Sequence, residues 1–245
     1  MLHQQVDETA ARFWEELGEE EPFPRDLEKA ILYARPLLSI EALVGLRPRV
    51  IQAWLQRRGH RVELETYDRR LNGCLYAVKG RAFIFLDKDL SPDDRRVVLG
   101  HEFGHFLLDY EAPRERAARR LGQTVLPVLD GVRGATASEQ LSATLAGLNT
   151  EPYVHFMDRN PDGSYVEPVS EVECRADAMS LEFLAPWRTV FADMQRKCVW
   201  PGEIGEWEEH LMTRFGLPQG WARHYAGCLI AKARGRLSFS QALGL

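Results

Sequence analysis

His101-Glu102-Phe103-Gly104-His105 is an H-E-x-x-H string. On a helix, two histidines at i and i+4 project from one face a turn apart, so both imidazoles can reach a single tetrahedral Zn²⁺. Glu102 lies beside that face, where its carboxylate can hold an attacking water and accept its proton. The chemistry such a trio performs is metal-assisted hydrolysis of an amide. The blander alternative is two hydrogen-bonded histidines and a surface carboxylate. It would leave three polar groups on a helix that Val97, Val98, Leu99, Phe103, Phe106, Leu107 and Leu108 make apolar nearly all round, at a high cost of burial.

A catalytic zinc takes a third protein ligand and keeps its fourth position open. Glu173-Cys-Arg-Ala-Asp177 opens a second strong helix, and its two acids share a face at i and i+4. One can bind the metal while the other accepts the outer N–H of a ligand histidine, with His101 the expected donor. Glu171, Asp109, Glu111 and His155 are rival third ligands, and Asp109, four residues beyond His105, is equally placed to orient that ring. A donor that stabilises the oxyanion is also required, and Tyr153, His155, Tyr165, His210 and His224 are candidates that the sequence does not rank.

The elements that must position these groups follow from periodicity. Residues 1–60 read as helical, with breaks at Pro22 and Pro24 and near Gly45 and Pro48. His60 to Thr66 alternates like a strand, and Leu75–Lys79 and Ala82–Leu86 flank Gly80-Arg81 as an antiparallel hairpin. Ser91-Pro92-Asp93-Asp94 gives an N-cap, a proline in the first turn and two acids at the positive end of a helix over about 92–109. The stretch 112–168 is an intervening segment with a basic run at 114–120, a helix near Ser138–Leu148 and a turn at Asn160-Pro-Asp-Gly163. A helix over about 170–184 ends at Leu184-Ala185-Pro186, and the tail is helical with a turn at Phe215-Gly-Leu-Pro. The expected division is a helical segment 1–60, a core 61–190 carrying an insertion at about 112–168, and a helical region 191–245.

The run FIFLDKDLSPDDRRVVLGHEFGHFLL from Phe83 to Leu108, followed by Glu173-x-x-Ala-Asp177 and a Leu-Ala-Pro helix end, resembles the ImmA/IrrE family of bacterial zinc metallopeptidases. That resemblance implies an α+β zincin-like core of a small antiparallel sheet and an active-site helix, with helical segments on either side. It implies Zn²⁺ held by His101, His105 and Glu173, with Glu102 as the catalytic carboxylate, which leaves Asp177 as the supporting partner of the i, i+4 pair. It further implies an endopeptidase whose substrate is a regulatory protein, a helix-turn-helix DNA-binding repressor, cut in a stress, DNA-damage, phage or mobile-element response. The 68-residue step from His105 to Glu173 is longer than in compact members.

The remaining features bound the alternatives. Thirty-one basic against 36 acidic side chains give a net charge of −5 over 245 residues, which excludes a generally cationic coat for nucleic acid or membrane. An apolar run of the roughly 18 residues that span a bilayer is missing, and the first residues are acidic where a secretory signal is basic then apolar, so the expected location is cytoplasmic. Cys74, Cys174, Cys198 and Cys228 are too dispersed for a disulfide framework or a cysteine zinc module. From Ala42 to Val62 there is no acid, but there are Arg47, Arg49, Arg57, Arg58 and Arg61 with Trp54 nearby, so a nucleic-acid effector is an open alternative to a solvated face. Two further expectations are that Cys74, beside the site, can gate the zinc as a thiolate, and that a strand of the 75–86 hairpin offers a free edge to an extended peptide. The rival to catalysis is a nucleic-acid-responsive or partner-binding module with a non-catalytic zinc.

Overall fold

A computed structural model describes residues 2–18, 22–64, 67–140, 152–158, 171–197 and 203–235. In chain order these carry α1 (Leu2–Leu17), α2 (Leu27–Ala34), β1 (Leu38–Leu43), α3 (Pro48–Arg57), β2 (Leu71–Val78), β3 (Arg81–Asp87), α4 (Pro92–His105), a π-helical turn (Phe106–Glu111), α5 (Ala112–Leu121) and a short α6 (Leu126–Leu129). They continue with β4 (Tyr153–Asp158), α7 (Glu171–Leu184), α8 (Trp187–Arg196), α9 (Ile204–Phe215) and α10 (Gln219–Ala233). The chain forms two compact units, 1–34 with 89–101 and 164–245, and 35–88 with 102–163. α4 contributes residues to both.

The second unit is built on a four-stranded sheet in the order β1-β3-β2-β4. β2 and β3 form the expected hairpin because Lys79 and Gly80 both take positive φ, 51° and 74°, in a two-residue turn whose twist matches that of the strands. Only glycine adopts that conformation without steric cost. On one face of the sheet Cys74, Tyr76 and Phe85 pack with Ile51, Trp54 and Leu55 of α3. Trp54 meets Phe83 and Phe85 edge-on at 5.4 and 5.1 Å.

Three sequence expectations change here. Leu38–Leu43, inside the stretch read as helical, is strand β1 and runs parallel to β3, so the sheet is mixed and not purely antiparallel. Leu-Ser-Ile-Glu-Ala-Leu has the period-two pattern of a strand, and its partner lies about forty residues downstream, beyond any local pattern. The strand expected before the hairpin does not form over 60–64. Val62 and Leu64 pack against the α3 cluster, and the Leu64 N–H donates to the Gln52 side chain at 3.0 Å instead of to a strand. Both hairpin strands are interior, because β4 covers β2 and β1 covers β3, so the free edge expected of the hairpin is absent. The α+β class stands.

The first unit is helical. α1 packs on α7, where Phe13 meets Phe183 edge-on at 5.4 Å. Arg95 of α4 makes a forked ion pair with Glu28 of α2, and the buried Asp193 of α8 holds His210, Arg214 and Arg196. Gly216 ends α9 in a left-handed conformation and opens the expected turn into α10. α4 and α7 approach closely at Gly100. A side chain at Gly100 would put its Cβ 2.6 Å from Ser180 Oγ, and that hydroxyl donates to the Val97 carbonyl at 2.8 Å. The expected helix over 138–148 lies outside the described residues beyond position 140, as does the turn at 160–163.

Candidate metal centre

α4 begins where the sequence places it. The Asp94 N–H donates to Ser91 Oγ at 3.1 Å, while the Ser91 hydroxyl donates to the Asp94 carboxylate at 2.6 Å. The fourteen residues of α4 carry His101, Glu102 and His105 into surroundings where all three are fully buried. At His105 the helix widens into the π-turn, a distortion that often marks a functional position.

In the helical unit, His101 Nδ1 donates to Asp177 Oδ1 at 2.7 Å, and its Nε2 lies 3.4 Å from Glu173 Oε2. With its proton on Nδ1, the ring turns a lone pair toward a carboxylate oxygen. Two electron-rich atoms face each other, which a cation between them would reconcile.

In the sheet unit, His105 Nδ1 donates to Asp109 Oδ2 at 2.9 Å, and the Tyr153 hydroxyl lies 3.4 Å from that nitrogen and 3.5 Å from that oxygen. His155 Nδ1 donates to Glu102 Oε2 at 2.9 Å, and its ring stacks on that of His105 with centroids 3.8 Å apart. Tyr153 and His155 are two apart on β4 and so share a face of the sheet, opposite Ala77 and Leu75 of β2. The other carboxylate oxygen of Glu102, Oε1, is buried and has no hydrogen-bond partner among the described residues. A buried oxygen of this kind calls for a donor or a cation from outside the chain.

The donor set suits zinc. Imidazole nitrogen and carboxylate oxygen are its ordinary ligands, and the potential donor atoms of His101 and Glu173 lie within 4.8 Å of each other, as do those of His105 and His155. Of the rival ligands, Asp109 serves His105, Glu111 pairs with Arg35 at 3.0 Å, and Glu171 is exposed in the first turn of α7. Among the oxyanion candidates, His210 is held by Asp193 and Lys197, His224 is exposed beside Cys228, and Tyr165 lies outside the described residues. Sequence reasoning named Tyr153 and His155 without ranking them. Their two-residue spacing on β4 is the signal that could have shown a shared face, but nothing local gave the partners.

Cys74 does not fit the role of a gate. It pairs with Phe85 and Phe156, so its side chain lies on the α3 face, while the adjacent Leu75 pairs with His155 on the other. Complete burial and then the Glu102 carboxylate push its thiol well above the usual range, so it stays protonated. In the basic stretch, Arg47 and Arg49 reach Asp68 at 3.5 and 2.9 Å, and Arg58 lies over the Trp54 ring at 3.5 Å.

Residues 56–125 match the model of the family Peptidase_M78, described as the IrrE N-terminal-like domain. This segment is 70 of the 245 residues; the match agrees with the resemblance to the ImmA/IrrE family and supports a peptidase-type function. The match includes the H-E-x-x-H helix and ends before β4 and α7. Comparison with curated proteins and with solved structures gave no match. Among the described residues, no helix is long and apolar enough to cross a membrane.

Proposed function

We propose that this chain is a zinc-dependent endopeptidase in which His101, His105 and Glu173 hold the metal, Glu102 is the catalytic carboxylate, and Asp177 orients His101. The observation that carries this reading is the chemistry of α4. Two buried histidines one turn apart each give Nδ1 to a carboxylate, which leaves Nε2 as a lone-pair donor, and between them stands a buried carboxylate with one oxygen unsatisfied. Bound there, zinc would supply a Lewis acid and lower the pKa of water to about 7. Glu102 would take the proton of the attacking water and return it to the leaving amine. Asp177 and Asp109 hold the two imidazoles in the required tautomer. The Tyr153 hydroxyl lies at the outer nitrogen of His105, where it supports the His105–Asp109 pair, and an extended peptide would pair with the outer edge of β4, an edge strand among the described residues.

The substrate we infer from the family is a regulatory protein, a DNA-binding repressor of helix-turn-helix type, cut in a stress, DNA-damage or mobile-element response in the cytoplasm. A nucleic-acid effector has less support, since Arg47, Arg49 and Arg58 are engaged within the fold and leave Arg57 and Arg61 exposed without a partner among the described residues. Metal analysis tests the ligand assignment. Purified chain should hold one zinc per molecule, and His101→Ala, His105→Ala and Glu173→Ala should each lose most of it. Full retention in all three would refute the assignment.

A further inference from the structure

We propose that His155 is itself a ligand of the metal, through Nε2, with Glu102 as its hydrogen-bond partner, so that the arrangement seen here is a closed, resting form of the site. This rests on the zinc reading above and extends it. The geometry repeats one pattern three times. His101 donates Nδ1–H to Asp177 at 2.7 Å, His105 to Asp109 at 2.9 Å and His155 to Glu102 at 2.9 Å. A carboxylate on the outer nitrogen is the ordinary support of a zinc-bound imidazole, because it fixes the tautomer and raises the basicity of the inner nitrogen. His155 has that support. Its ring stacks on that of His105 at 3.8 Å, and its donor atom lies within 4.8 Å of the donor of His105, so both can serve one ion.

The consequence is a coordination set of three histidines and one glutamate. Four protein ligands make the closed tetrahedron of a structural zinc, whereas catalysis needs a vacant position. The same contact engages one of the two oxygens of Glu102 and leaves Oε1 unsatisfied among the described residues. Withdrawal of His155 would therefore open a coordination position and free the second oxygen of the base in one movement. β4, which carries His155, pairs with β2 alone among the described residues, and its register shifts between Leu71 and Gly73. It is thus a less firmly held strand than β2 or β3.

X-ray absorption on the full-length zinc-loaded protein reads the ligands directly. Three imidazoles are expected, and two would overturn the proposal. In parallel, zinc affinity by chelator competition and the visible spectrum of the Co²⁺-loaded protein should be compared for wild type, His155→Ala, His155→Asn and His105→Ala, with circular dichroism as a folding check. Replacing His155 should weaken zinc binding at least tenfold and alter the Co²⁺ bands as solvent takes its place. If both His155 variants keep wild-type affinity and spectrum while His105→Ala loses the metal, His155 is not a ligand and the zinc reading stands. If His105→Ala also keeps the metal, the reading beneath the proposal fails with it.

Discussion

At the scale of single residues, the site is organised by carboxylates that act on imidazoles. Removing the supporting acid should weaken zinc binding without removing a ligand. Asp177→Ala and Asp109→Ala are each expected to lower zinc affinity by about 10- to 100-fold, read by chelator competition, and unchanged affinity in both would argue against their orienting role. A second acid makes a prediction about pH. Glu182, on α7, is buried against Asp7, Trp187 and Tyr225, and burial followed by the Asp7 carboxylate pushes its pKa up from 4.5 to about 8. Folded protein therefore keeps a proton that the unfolded chain releases. The stability Glu182 contributes is complete below pH 4.5, falls as pH rises from about 4.5 to about 8, and is level above that. The loss is on the order of 3 kcal/mol at pH 7. Glu182→Gln keeps the acceptor for the Trp187 N–H and removes the titration. Its Tm should exceed that of wild type at pH 8 and fall less between pH 5 and pH 8; parallel Tm curves would contradict this.

At the scale of elements, what was legible in the sequence is what local pattern encodes. Ser91-Pro92 and the all-round apolar run specify α4, and the i, i+4 spacing of Glu173 and Asp177 put both on the face of α7 that meets His101. β1 was not legible as a strand because its partner is distant, and the apparent strand at 60–66 was misleading because alternation also suits a segment laid over a helix-packed core. The pairing of His155 with Glu102 was hidden for the same reason, since 53 residues separate them. Gly100 is a further case, a helix-interior glycine that weakens the helix by itself and is explained only by α7. Gly100→Ala should destabilise the protein by about 1–3 kcal/mol in denaturant unfolding. Adding Ser180→Ala should recover only part of that loss, because the Ser180 Cα also lies 3.0 Å from the added carbon. A neutral Gly100→Ala would show that α4 and α7 pack less tightly than described.

At the scale of the whole molecule, the proposed ligands come from segments far apart in the chain: α4 carries His101, Glu102 and His105, α7 carries Glu173 and Asp177, and β4 carries His155. The family match covers the part that holds the H-E-x-x-H helix, so the remaining donors rest on geometry alone. A net charge of −5 means that the chain carries no overall cationic excess. The central claim is hydrolysis that depends on Glu102. The direct measurement compares newly formed protein N-termini in cells expressing wild type or Glu102→Gln, with and without DNA damage, because the substitution preserves size and the proposed ligands while removing the base. A cut found only with wild type is the predicted result, and it would name the substrate. Identical sets of N-termini under both conditions, with zinc bound to both proteins, would contradict the peptidase reading and favour a module that holds a partner without cutting it.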